Sequence, residues 1–212
     1  LVVLGGGVIG VEMASLMGLL GVPVTVVHAG AHILDREDDD VAAEVAAGLE
    51  ALGATILTGA RASKVAAAPD GRGVVVTTAD GREAAGSHLL VALGRTPVTA
   101  GLGLEAAGVE LTGRGFVRVD DHLRTTAPGV YAAGDVAGTP QFTHASWNDF
   151  RVLRDILAGG EASTAGRLIP WAVFTTPELG HVGLTEAEAR RAGHEVRVAK
   201  TPTAAVPRAK TL

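Results

Sequence analysis

The sequence predicts an α/β fold with a parallel sheet at its centre, and three observations predict it. An apolar strand at residues 1–4 runs directly into Gly5-Gly6-Gly7-Val8-Ile9-Gly10, and an apolar helical stretch follows. Strand and helix patterns then alternate through residue 57, the order that sets parallel strands side by side. Farther on, Val130-Tyr131-Ala132-Ala133 leads into Gly134-Asp135. That places a carboxylate at the carboxyl end of a predicted strand, where ligands meet α/β sheets.

Each element has its own cue. The helix at 8–20 ends at Gly21, which tolerates the left-handed conformation past a helix end. Residues 24–27 form the second strand. Asp38, Asp39 and Asp40 put negative charge where the next helix begins, a placement the helix dipole favours. Val41, Val45, Leu49 and Leu52 are its expected buried face, and Gly53 is its stop. Residues 55–57 make a third strand and complete a βαβαβ unit, half of a Rossmann-like doubly wound nucleotide-binding domain. Between residues 63 and 91 the pattern turns antiparallel, with a strand at 74–78 and a turn at Ala79-Asp80-Gly81. The domain therefore carries an antiparallel insert before an apolar segment at 89–93 returns to Gly94. A strand pair is expected around Val117 to Val119. A helix is expected from Thr143 to Leu157, with Trp147, Phe150, Leu153 and Leu157 as its apolar stripe and Gly159-Gly160 as its end.

Composition narrows the function classes. A net charge of −5 with no basic run offers no nucleic-acid surface. The absence of cysteine removes disulfide frameworks and cysteine-bound metal sites, and no metal site is expected. Residues 1–27 hold a single charge, Glu12, yet six glycines and Pro23 divide them into strand, turn, helix and strand. Burial in a parallel sheet explains that run better than a membrane span. With no targeting segment evident, a cytoplasmic protein is expected.

The glycine motif gives the first candidate site. Gly5 permits a tight turn, Gly7 lets a pyrophosphate approach the backbone, and Gly10 lets helix and strand pack closely. The N–H groups of Val8 and Ile9 then face the phosphates at the positive end of the helix. A plain buried turn is the competing reading of the motif taken alone. His28 holds the position that selects between nucleotides. A carboxylate there accepts a ribose 2′-OH and an arginine favours a 2′-phosphate. With no carboxylate present, NADPH is slightly favoured over NADH, and Arg36 stands near enough to meet a phosphate, opposed by the acids at 37–40.

Taken together, the glycine motif, Gly94-Arg95-Thr96-Pro97 and Tyr131-Ala132-Ala133-Gly134-Asp135 closely resemble the pyridine nucleotide–disulfide oxidoreductases. The resemblance implies FAD and NAD(P)H as cofactors, with Gly5 to Gly10 as the NAD(P) motif. It implies that Gly94 begins the return to the FAD domain, where Val98 replaces a usual asparagine. Gly134 and Asp135 would meet the flavin's ribityl chain, against the simpler reading of an Asx turn. Phe142 and Thr143 would open a helix aimed at the flavin's pyrimidine edge, by backbone contact. Glu12, in Gly-Val-Glu, would lie near the nicotinamide, where the simpler reading is an exposed acid early in a helix. The implied domains are 1–96 for NAD(P), 97–166 for the C-terminal segment of an FAD domain, and 167–212 for the start of an α+β interface domain that forms a homodimer.

The resemblance covers only part of a longer enzyme, so a fragment is expected. The Cys-x-x-x-x-Cys pair of the family is not in this sequence, and no catalytic residue is assigned here. Pro140-Gln141-Phe142-Thr143 and Ala204-Ala205-Val206-Pro207-Arg208-Ala209-Lys210 resemble the mercuric-reductase-like branch, which implies a disulfide, a metal ion or a similar small-molecule electron acceptor. A flavin-free Rossmann dehydrogenase and a non-catalytic nucleotide-binding or redox-sensing module are the two alternatives.

Overall fold

Val2, Val3 and Leu4 form β1 (Val2–Leu4), and neither face of this strand meets water. The computed structural model of the protein describes residues 1–207. β1 lies between β2 (Thr25–Val27) and β7 (Leu89–Val91), both parallel to it, and β3 (Thr55–Leu57) extends the sheet to the order β3-β2-β1-β7. The returning segment at 89–93 thus joins the first sheet as expected. Alternation along the strands sorts the side chains between two cores. Val3 and Val26 face a helical layer of α1 (Val8–Leu19) and α2 (Asp39–Ala51). Val2, Leu4 and Val27 face the antiparallel sheet of β4 (Ala62–Ala67), β5 (Val74–Thr78) and β6 (Glu83–Gly86), where Val76 and Ala84 cover them.

Helix ends follow the sequence cues. Past α1, Val22 N–H donates to Met17 O and Gly21 N–H to Gly18 O, both at 2.9 Å, the paired bonds of a Schellman stop. The buried face of α2 differs from expectation. Ala42, Val45 and Leu49 are buried while Val41 is exposed. Another segment presses on the helix at Gly48, where a Cβ would collide with Thr176 O.

Residues 109–133 adopt mostly irregular backbone. Isolated bridges join Leu111 with Val117, Val119 with Thr125 and Arg124 with Tyr131. The strand expected at 130–133 is therefore reduced to one bridged residue, Tyr131, since a single partner forms no ladder. A 3₁₀ turn (Gly134–Ala137) follows, then α3 (Thr143–Leu157). Three residues of the apolar stripe expected on α3 point outward: Trp147, Phe150 and Leu157 are exposed, Leu153 is half-buried against the core, and Ala145, Asp149, Val152 and Ile156 are buried. A buried carboxylate occupies the inner face, and the outer one mixes apolar residues with Arg151 and Arg154.

The last segment pairs β8 (Trp171–Val173) with β9 (Leu179–His181) and adds α4 (Glu186–Arg191). It docks on the helical layer, where Val173 and Leu179 share the core of α1 and α2. Acids from the loop before α2 fix the contact. Glu37 accepts from Trp171 Nε1 at 3.1 Å and from His181 Nδ1 at 2.7 Å. Asp38 accepts from Glu186 N–H at 3.0 Å, so it caps α4 across the joint. Lys200 pairs with Asp40, and its hydrogen bond holds that carboxyl below the ordinary carboxylate range. Residues Arg208, Ala209 and Lys210 lie outside the described residues. Among the described residues, no helix is long and apolar enough to cross a membrane.

Glu37 and His181 are both nearly buried, at 6% and 12% exposure. Removing the acid strands two donors, each costly to leave unpaired. Glu37→Ala should lower stability by roughly 2–4 kcal/mol and speed amide exchange in Trp171–Val173 and Leu179–His181 while leaving Val2–Leu4 unchanged. Uniform exchange in both regions would contradict this.

Candidate functional site

The carboxyl end of β1 opens into the glycine turn. Gly5 N–H donates to Val27 O at 2.9 Å, and the residue sits at φ +106°, where a Cβ would collide with Ala92 O. A Cβ on Gly10 would collide with Gly5 O, so α1 starts directly on the turn. Gly7 differs: nothing stands within 4 Å of its Cβ position, and that side of the loop is open. The first bond of α1 runs from Val11 N–H to Gly7 O at 3.0 Å. The N–H groups of Val8, Ile9 and Gly10 therefore have no helical partner and collect at the positive end of the helix.

His28 follows β2 and turns under this loop. Its Nδ1 accepts from Gly6 N–H at 3.1 Å, and the side chain is only 13% exposed. Among the described residues its Nε2 is buried without a hydrogen-bond partner, 3.7 Å from Asp35 Oδ2. Glu12 sits on the first turns of α1, half-buried, and accepts from Phe174 N–H at 2.9 Å. Its carboxylate thus marks the place where the helical layer meets the last segment.

A second cluster forms about 134–149. Asp135 stands in the 3₁₀ turn with its side chain 54% exposed, 3.6 Å from Arg95 Nη1. Arg95 also reaches Gln141 O at 3.4 Å. The return after Gly94, the Gly134-Asp135 turn and the approach to α3 therefore converge on one guanidinium. Gly134 is buried at φ +69°, and its N–H donates to Asp149 Oδ2 at 2.7 Å. Phe142 is the N-cap of α3 and its ring stacks on Trp171, 6.2 Å between centroids. Because Ser146 N–H makes the first bond back, to Phe142 O, the N–H groups of Thr143, His144 and Ala145 are free of helical partners. The ring of His144 is engaged with Pro170 O at 2.6 Å.

The twelve sequence-derived positions thus fall in two groups. Gly5, Gly7, Val8, Ile9, Gly10, Glu12 and His28 gather at the end of the first sheet. Gly134, Asp135, Phe142 and Thr143 gather at the turn before α3, with Gly94 on the path between. Three residues that sequence reasoning passed over belong with the second group: Arg95, Asp149 and Arg167, whose Nη1 lies 2.6 Å from Asp149 Oδ1. Asp149 left a readable signal, an acid in step with Ala145, Val152 and Ile156.

Comparison with known proteins bears on this arrangement. The pyridine nucleotide-disulphide oxidoreductase family matches residues 1–149, and the dimerisation domain of the same family matches 169–212. Among similar proteins, the probable pyridine nucleotide-disulfide oxidoreductase RclA of Escherichia coli is 41% identical over 99% of this chain and 47% of its own length. A dihydrolipoyl dehydrogenase of Thermus scotoductus is 41% identical over 100% of this chain and 46% of its own. A mercuric reductase of Bacillus cereus is 35% identical over 99% of this chain and 33% of its own. The chain spans about half the length of the first two of these relatives. Solved structures of Escherichia coli RclA and of LpdA from Mycobacterium tuberculosis superpose with TM-scores of 0.88 and 0.89, at 41% and 36% identity. Each covers 99% of this chain, which spans 48% and 46% of theirs. With a parallel-sheet glycine turn, a Gly-Asp turn before a helix, and a family match across most of its length, the chain belongs to the pyridine nucleotide-disulphide oxidoreductases.

Proposed function

We propose that this chain carries the NAD(P)H platform and part of the FAD platform of a flavin-dependent oxidoreductase. The observation that carries the reading is the pairing of an open, N–H-lined glycine turn with an exposed carboxylate beside Arg95. In this division residues 1–96 bind NAD(P)H, 97–166 contribute to the FAD domain, and 167–212 contribute to a homodimer interface. The residues present fit both groups. Gly7 offers the space that a side chain would fill, and Val8 and Ile9 offer donors to a pyrophosphate. Asp135 offers an acceptor to a ribityl hydroxyl, and the free N–H groups of α3 favour negative charge at the pyrimidine edge. When bound, the flavin supplies hydride and electron transfer. Glu12 would orient the nicotinamide end, held in place by Phe174 N–H.

The acceptor in this reading is a disulfide, a metal ion or a similar small molecule. Its support is likeness: the similar Escherichia coli protein is described as a HOCl-induced flavoprotein disulfide reductase with a Cu(II) complex, and another relative as a mercuric reductase. A cytoplasmic setting belongs to the same reading.

NADPH is the favoured nucleotide, because position 28 holds a histidine and no carboxylate. A second reading, NADH, rests on Asp35, whose carboxylate stands 3.7 Å from His28 Nε2 and would accept a 2′-OH. Variants of the complete protein separate the two. His28→Glu should move the NADPH/NADH ratio of kcat/KM towards NADH by at least about tenfold, the equivalent of 1.4 kcal/mol. Asp35→Asn should leave NADH use unchanged; a tenfold loss with NADH would favour the second reading.

Asp135→Ala tests the flavin assignment. A charge-assisted hydrogen bond contributes roughly 1.5–3 kcal/mol. The variant should therefore release FAD about ten- to a hundredfold more readily and bind NADPH as before. Equal FAD dissociation in variant and wild type would remove Asp135 from the site, and loss of NADPH binding alone would mean that the two nucleotide sites are exchanged.

A further inference from the structure

The carboxylate of Asp149 is completely buried, on the inner face of α3 beside Ala145, Val152 and Ile156. A buried carboxylate is unfavourable unless charge and hydrogen bonds surround it. Arg167 Nη1 supplies the charge at 2.6 Å from Oδ1 and also donates to Asn148 Oδ1 at 2.8 Å. The other oxygen has a different task. Oδ2 accepts from Gly134 N–H at 2.7 Å and from Thr139 Oγ1 at 2.7 Å. Gly134 opens the 3₁₀ turn that carries Asp135, and Thr139 stands just past its end. One buried oxygen therefore pins both ends of the turn whose exposed residue is the candidate flavin contact.

The turn has little freedom to settle elsewhere. At Gly134 a Cβ would come within 2.7 Å of Ser146 Oγ on the same helix, so the backbone already rests on α3. Thr139 is buried, and Arg167 Nη2 lies 3.5 Å from its hydroxyl. Among the described residues Asp135 itself has no comparable anchor: its carboxylate is half-exposed, with Arg95 3.6 Å away.

We infer that Asp149 is a positioning residue for FAD binding, placing the Asp135 carboxylate through the backbone of the Gly134–Ala137 turn, with Arg167 holding the other oxygen of Asp149 in place. The inference rests on the flavin reading of Asp135. It makes Asp149 and Asp135 one energetic unit, which a residue that merely stabilises α3 would not be.

A double-mutant cycle on FAD dissociation in the complete protein tests it, with Asp149→Ala, Asp135→Ala, the double variant, and Val152→Ala as a control on the same buried face. Asp149→Ala should weaken FAD binding at least about tenfold, and the double variant should bind no more than about threefold weaker than Asp135→Ala alone. Val152→Ala should leave FAD binding within about threefold of wild type while lowering the melting temperature. If Asp149→Ala does not accumulate as folded protein, Asp149→Asn takes its place in the cycle: its single amide oxygen cannot serve Gly134 N–H, Thr139 Oγ1 and Arg167 Nη1 together, so a smaller loss of FAD binding, again non-additive with Asp135→Ala, is expected. Full additivity of the two losses, or an Asp149 effect no larger than that of Val152→Ala, would overturn the positioning role and leave the flavin reading standing. A wild-type protein that retains no FAD would overturn both.

Discussion

β1 is bordered by a parallel strand on each side and covered on both faces, so a ligand meets this strand only at an end, and its carboxyl end opens into the glycine turn. That constraint organises the glycine-turn end of the molecule. The chain must leave the strand sharply and start a helix at once, which Gly5 and Gly10 allow because any side chain there would strike Ala92 O or Gly5 O. The helix then presents unpaired N–H groups at the mouth of the sheet, and the motif's open glycine keeps the mouth clear. His28 braces the loop from below through Gly6 N–H.

Carboxylates join the first sheet and its helices to the C-terminal segments, beside the apolar contact made by Val173 and Leu179. The chain has only seven aromatic residues among 212. Glu12 meets Phe174, Glu37 meets Trp171 and His181, and Asp38 caps α4. Asp149 does the same for the turn at 134 and for Arg167. Each acid is satisfied by donors from a segment distant in sequence, which fixes relative placement because hydrogen bonds are directional. Trp171 concentrates the aromatic contribution, stacking between Phe142 and His181.

Much of the first domain was legible because its signals are local. Strand 1–4, the glycine turn, both helix stops and the antiparallel insert each follow from a few neighbouring residues. What local pattern could not show was the direction from which other segments press. On α2, Ala42 is buried in place of Val41, on the same face as Val45 and Leu49, in a core that also takes in Val173 and Leu179 from the last segment. On α3 the apolar residues Trp147, Phe150 and Leu157 face outward and Asp149 inward, because the inner face has donors to satisfy and a hydropathy stripe records none of them. Residues 130–133 read as a strand by composition, yet only Tyr131 finds a bridging partner. Arg95 lay inside a motif already noticed, but its contacts with Asp135 and Gln141 depend on chain paths about forty residues or more apart.

In the proposed function, two nucleotide platforms of one oxidoreductase meet in this chain. Anaerobic titration of the complete, purified protein with NADPH, followed by its visible absorbance, tests that most directly. The expected result is a yellow protein whose flavin band bleaches stoichiometrically as the nucleotide is added. A colourless protein that still binds NADPH, or a bound flavin that stays oxidised in excess NADPH and NADH, would contradict it.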